Sequence, residues 1–312
     1  MNIDDIKCAF IIPRYETRLF DRNVKYEELI SWGDDAYIKV RNCQILFIGL
    51  LLALKADYIT DLTGEEHKYD LIMTLHPMLN HKFREDQLTF YIESEPPVNS
   101  AELGRPWDLL NTPIKGPYDY LLNNYTLKTN NPRNYPWHFC YDLDFFKRIE
   151  STKIKNKVFL QKRPVKGQRS GGGFVLPEKY IVSNEQSGYV PYSQTSLPTF
   201  VHYCKELKSC EYMISNCWTD SPGQVTVESV LLDVIPFAPE HKLFTQLLLP
   251  KFCWFTTLEE VLSKIDLLES DLVLKSDIQS QLKENIKKVD YNLFRKDIVN
   301  LYEKFVNNNK KV

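Results

Sequence analysis

The residues with the clearest chemical potential lie in Ser221 to Pro236, S-P-G-Q-V-T-V-E-S-V-L-L-D-V-I-P. A turn containing Gly223 feeds a helix whose first turns carry Thr226 and Glu228, and a VIPF strand follows. A helix N-terminus offers unpaired N–H groups and the positive end of a dipole, which suits a phosphate. A glutamate one turn in can accept hydrogen bonds from the 2′- and 3′-hydroxyls of a ribose. The plainer reading is an ordinary helix-to-strand connection in which Glu228 is a solvated carboxylate. A second segment, Lys162 to Gly173, reads K-R-P-V-K-G-Q-R-S-G-G-G and places Lys162, Arg163, Lys166 and Arg169 directly after an apolar run. Arginine matches a diphosphate in a bidentate way, and glycines such as Gly167 let backbone N–H groups come close to it. The plainer reading here is a basic surface loop.

Glu93 and Glu95 in Y-I-E-S-E-P-P follow another apolar run. A carboxylate at a strand's carboxyl end can act as a general base, or be no more than a loop acid facing solvent. Arg105-Pro106-Trp107 could position an acceptor, although such a Trp more often anchors packing. His76 reads as structural. Asp142-Leu143-Asp144 has the form of a metal-holding acidic pair, but Phe145 to Lys147 look like a helix start, so capping carboxylates fit better. No His/Cys cluster has metal spacing, and no metal is expected.

These segments need elements to hold them. The runs CAFIIP from Cys8, Asp57 to Thr60, YDLIMTL from Tyr69 and LTFYI from Leu88 read as buried strands. Asn42 to Leu54 reads as a helix, and such alternation predicts a parallel sheet. Residues 94 to 140, rich in Pro, Asn and Tyr, read as irregular. KVFLQ from Lys157 restarts the pattern. Strands are expected at Tyr180 to Ser183, Tyr212 to Ser215, Val234 to Phe237 and Phe252 to Phe255. Helices are expected at Leu197 to Leu207 and Val225 to Leu232. Charged helices follow from Leu258, with Thr257 as N-cap.

A length of 312 residues favours two domains, and the polar stretch Glu150 to Asn156 divides them into 1–150 and 151–312. The net charge of −2 provides no general attraction for nucleic acid or anionic membrane. Seven cysteines without a C-x-x-C pair argue against a disulfide framework or a structural zinc, and point to reduced thiols in the cytoplasm. The longest apolar run, Ile45 to Leu54, is far shorter than the roughly 20 residues that span a bilayer.

In their order along the chain, these features resemble the GT-B glycosyltransferases and, within them, the DNA β-glucosyltransferases of T-even phages. T-F-Y-I-E is similar to the family strand that ends in the catalytic aspartate, which implies that role for Glu93. K-G-Q-R at Lys166 to Arg169 is similar to the loop gripping the UDP phosphates, and V-T-V-E places Glu228 on the UDP ribose. The resemblance implies an α/β fold of two Rossmann-like domains with a cleft between them and C-terminal helices crossing back. It implies an inverting transferase that takes a sugar from UDP-glucose or a similar donor, with no tightly bound cofactor, to a hydroxymethylated base in double-stranded DNA. A glycan, lipid-linked or protein acceptor remains a second reading, and a non-catalytic nucleotide-binding module a third.

Overall fold

The computed structural model describes residues 1–12, 19–39, 46–60, 64–75, 81–93, 118–123, 134–136, 140–161, 176–183, 199–215, 224–239 and 248–309. The chain forms two compact units, Met1–Asp142 with Val289–Val312, and Leu143–Lys288. The first unit ends ahead of the polar stretch at 150–156, because the short helix α4, Leu143–Arg148, buries Phe145 and Phe146 in the second unit. There Phe145 and Phe146 pack on Phe200.

The first unit is built on strands β1 (Cys8–Ile11), β2 (Asp57–Ile59), β3 (Leu71–Thr74), β4 (Leu88–Glu93), β5 (Tyr120–Asn123) and β6 (Asn134–Pro136). They pair in the order β2-β1-β3-β4-β5-β6, and every pairing is parallel. All residues of β1 and β3 are buried, as expected of strands covered on both faces. β5 and β6 correct the irregular reading of 94–140. Tyr120 stacks on Phe90, with ring centroids 5.4 Å apart. Pro136 is tolerated because β6 lies at the sheet's edge, where a missing donor costs little.

Helices α1 (Tyr26–Trp32), α2 (Ala36–Lys39) and α3 (Leu46–Leu54) precede β2. α3 is apolar throughout, and its Gly49 lies against the backbone of Cys140. The final helix, α9 (Tyr291–Asn309), packs on α3. Arg295 of α9 donates to the carbonyls of Ala53 (2.6 Å) and Leu52 (2.8 Å). Those carbonyls end α3 and have no partner within it, so a cation there satisfies them and complements the dipole. Of the C-terminal helices, α9 alone belongs to the first unit.

The second unit contains β7 (Lys157–Gln161), β8 (Ile181–Ser183), β9 (Tyr212–Ser215), β10 (Ile235–Pro239) and β11 (Trp254–Phe255), all parallel, in the order β11-β10-β9-β7-β8. Helices α5 (Phe200–Lys208) and α6 (Gln224–Leu231) connect its strands. α7 (Leu258–Ser270) and α8 (Leu272–Ile286) close it. Thr257 caps α7 as expected, accepting from the Glu260 N–H (3.2 Å) while Glu260 accepts from the Thr256 N–H (2.9 Å). Asp271 caps α8 through the Leu274 N–H (2.9 Å). Counted within its own unit, each sheet has the strand order 2-1-3-4-5 of a doubly wound fold, extended by one strand in the first. Among the described residues no helix is long and apolar enough to cross a membrane.

Gly49 allows a test of this packing. A Cβ at this position would lie 2.0 Å from the Cys140 carbonyl oxygen and 2.6 Å from its carbon. Alanine normally stabilises a helix interior by roughly 0.5–1 kcal/mol over glycine. Here the clash is with backbone, so Gly49→Ala should destabilise by about 1–3 kcal/mol, the usual cost of overpacking. Urea denaturation followed by circular dichroism measures the sign; a stabilised variant would show that α3 does not touch residue 140.

Candidate functional site

From β7 the chain moves to β8 on one side and then returns to β9 on the other. Neighbouring crossovers therefore diverge at the carboxyl ends of β7 and β9. In open α/β sheets that divergence is where ligands bind. The last residues of the two strands, Gln161 and Ser215, stand in register. Both are buried, and the Ser215 hydroxyl donates to Gln161 Oε1 at 2.8 Å. Residue 162, the first of the basic glycine-rich segment, follows Gln161 directly, and the segment leading into α6 follows Ser215. The two stretches singled out in the sequence thus start from adjacent strands at the switch point of one sheet.

Within α6, Thr226 and Glu228 are buried, Glu228 at 5% exposure. This corrects the reading of Glu228 as a solvated carboxylate. α6 is enclosed by β9 and β10 and by α4, α5 and α8. Its side chains Val225, Val227 and Val230 fill that surround, and Ser229 returns its hydroxyl to the Val225 carbonyl at 2.6 Å. Burying a carboxylate in such a place is costly unless it is hydrogen-bonded. Tyr203 of α5 supplies a bond, its hydroxyl donating to Glu228 Oε2 at 2.7 Å. A buried, hydrogen-bonded acid on the helix that follows a switch-point strand is a functional candidate on physical grounds.

The opposite edge of this sheet is closed by protein groups. At the amino end of β7 the Lys157 ammonium reaches Glu206 (2.8 Å) and Ser209 (2.9 Å). Lys153 donates to the carbonyls of Cys210 (2.7 Å) and Asp233 (2.9 Å), and burial pulls its ammonium down to about 8.

Glu93 is the last residue of β4 and pairs with Asn123 of β5, so its backbone does stand at a carboxyl edge, in the first unit. Its side chain lies outside the described residues. So do Glu95, Arg163, Lys166, Gly167, Arg169 and Gly223, together with His76, Arg105 and Trp107. Asp142 accepts from the Tyr37 hydroxyl at 3.1 Å. Asp144 pairs with Lys147 at 2.8 Å, which holds its carboxyl below the usual range. Neither is at the end of a sheet strand, and among the described residues no group of three His, Cys, Asp or Glu could hold a metal ion. Sequence reasoning missed Tyr203, Gln161 and Ser215. The signal for the last two was a polar residue ending each of the apolar runs KVFLQ and YMIS.

The chain is similar to two solved structures. One is Anabaena HepE in complex with UDP, at 12% identity, covering 96% of this chain and 100% of that one with a TM-score of 0.53. The other is a glycosyltransferase from Rickettsia africae, at 8% identity, covering 97% and 99% with a TM-score of 0.52. The protein shares their α/β fold over nearly its whole length. No family model and no curated protein sequence matches it.

The described cysteines, Cys8, Cys140, Cys204, Cys210 and Cys253, are buried. Burial raises the Cys210 thiol to about 11 and Cys253 to about 12, and it raises Cys8 and Cys204 as well. A thiol so shifted is a poor nucleophile at neutral pH. Iodoacetamide applied to the native protein at pH 7.5 should leave these five unmodified in peptide mass mapping. Rapid labelling of Cys204 would show that the α5–α6 region opens.

Proposed function

We propose that this protein is a GT-B glycosyltransferase that binds a UDP-sugar through its second unit and passes the sugar to a hydroxyl acceptor. The observation that carries the reading is the buried Glu228, on the helix that follows β9, the strand paired with β7, after which the basic segment Lys162 to Gly173 comes. A diphosphate needs cations and free N–H groups, and a ribose needs an acceptor for its diol. The carboxyl edge of β7 and β9 has both in sequence range. The structural likeness to a UDP complex and to a glycosyltransferase supports the same reading.

In this reading Glu228 accepts from the ribose hydroxyls. Arg163, Lys166, Gly167 and Arg169 meet the diphosphate, and Gly223 and Thr226 contribute at the start of α6. Stabilising the departing diphosphate is the main source of rate acceleration. Cations of the protein do this in place of a metal, so donor binding should not depend on a divalent ion. Glu93, with Glu95 as the alternative, deprotonates the acceptor hydroxyl, which attacks the anomeric carbon as UDP leaves. The acceptor implied by the phage resemblance is a hydroxymethylated base in DNA. That base would have to leave the helical stack to react, and a chain of net charge −2 has no overall attraction for DNA. Glycan, lipid-linked and protein hydroxyls therefore belong in the same acceptor panel.

Glu228→Ala should weaken UDP binding by about 1–3 kcal/mol, the loss of a charge-assisted acceptor, as read by calorimetric titration. Unchanged affinity in a folded variant removes Glu228 from the site. Arg169→Ala should weaken UDP much more than uridine; equal losses would argue that it does not meet the diphosphate.

The base is tested separately. Glu93→Gln should keep donor affinity and lower transfer by roughly 10² to 10⁴, the usual contribution of a general base. The assay is single-turnover transfer from radiolabelled UDP-glucose to whichever acceptor in the panel is used. Full turnover in Glu93→Gln beside an inactive Glu95→Gln would move the role to Glu95.

A further inference from the structure

Tyr203 has no place in the reading above, yet its hydroxyl reaches Glu228. The bond is short and buried, 2.7 Å from the Tyr203 oxygen to Glu228 Oε2. The ring that carries the hydroxyl is held firmly. It packs edge-on against Phe159 of β7, at 5.9 Å and 83°, and lies over Phe200 at 5.6 Å and 28°. The helix bearing it is fixed at its start by Thr199, whose hydroxyl accepts from the His202 N–H at 3.2 Å.

The two helices come together for topological reasons. α5 leads from β8 across to β9, and α6 leads from β9 to β10, both moving the same way along the sheet. Right-handed crossovers in one direction leave their helices on one face, and α5 and α6 do touch. The hydroxyl is not needed to fill space, because a phenylalanine ring would pack against Phe159 and Phe200 equally well. What it adds is a directed donor to a buried carboxylate.

We propose that Tyr203 is a positioning residue that fixes the Glu228 carboxylate in the orientation that receives the ribose diol. The proposal rests on the reading of Glu228 as the ribose acceptor. A carboxylate has about four lone-pair sites, so accepting from Tyr203 does not exclude accepting from a diol. Fixing the rotamer beforehand spares the ordering cost that a long side chain otherwise meets on binding.

The test is a calorimetric comparison of UDP with 2′,3′-dideoxy-UDP, on the wild type, Tyr203→Phe, Glu228→Ala and the double variant, each checked for folding by thermal melt. Tyr203→Phe should bind UDP about two- to tenfold more weakly, the worth of one hydrogen bond, and bind the dideoxy analogue as the wild type does. The double variant should bind UDP no more weakly than Glu228→Ala, because the tyrosine acts through the glutamate. Unchanged UDP affinity in Tyr203→Phe overturns the proposal, and so do equal losses for the two ligands, which indicate a packing role. If Glu228→Ala itself leaves UDP affinity intact, the donor-site reading fails and takes this proposal with it. Failure of Tyr203→Phe alone leaves the donor site standing.

Discussion

A parallel sheet requires every connection to cross over it, and the crossovers are right-handed. When the chain lays a second strand on one side of the first and a third strand on the other, the connections separate at the carboxyl ends of the first and third. In the second unit these strands are β7 and β9, joined in register through Gln161 and Ser215. Nearly every feature of the candidate site depends on that reversal. It makes the segments after the two strands start side by side, although about 50 residues separate them in the chain. The reversal also sends the next crossovers in a single direction, which brings α5 against α6 and Tyr203 to Glu228.

The energetics of the two edges differ. At the amino edge, cations are matched to protein acceptors, as Lys157 is to Glu206 and Ser209, and such pairs hold the fold. At the carboxyl edge the sheet ends in a buried hydroxyl–amide pair, and the following helix buries an acid among valines. Replacing a buried charged group by a well-packed apolar one is often neutral or stabilising. The proposed role toward a ligand would give the burial of Glu228 and its bond to Tyr203 a function.

Much of the fold was legible in the sequence because its strands are covered on both faces. CAFI, LIMT, KVFLQ and YMIS are continuous apolar runs with few alternative readings. The Thr257 cap was legible because capping is local. β5 and β6 were not: β5 (YLLN) is short and sets Tyr120 on its neighbour's Phe90, and β6 (NYP), at the sheet's edge, lacks the apolar signature. The domain division was displaced because a polar stretch marks exposure, whereas α4 joins the second unit through two buried phenylalanines. Glu228 stood out by its spacing in SPGQVTVE, but its burial could not be inferred, because that depends on α4, α5 and α8 closing over α6. Tyr203 was illegible for the same reason: its partner lies 25 residues away and meets it only through the order of the strands.

The proposed nucleotide site is the carboxyl edge of β7 and β9. A crystal structure of the protein soaked with UDP tests that most directly. Density for the diphosphate is expected at the ends of these strands, next to Gln161 and Ser215, with the ribose hydroxyls within hydrogen-bonding distance of Glu228. Well-ordered UDP at the carboxyl edge of the first unit's sheet, or at the amino edge beside Lys153 and Lys157, would contradict it.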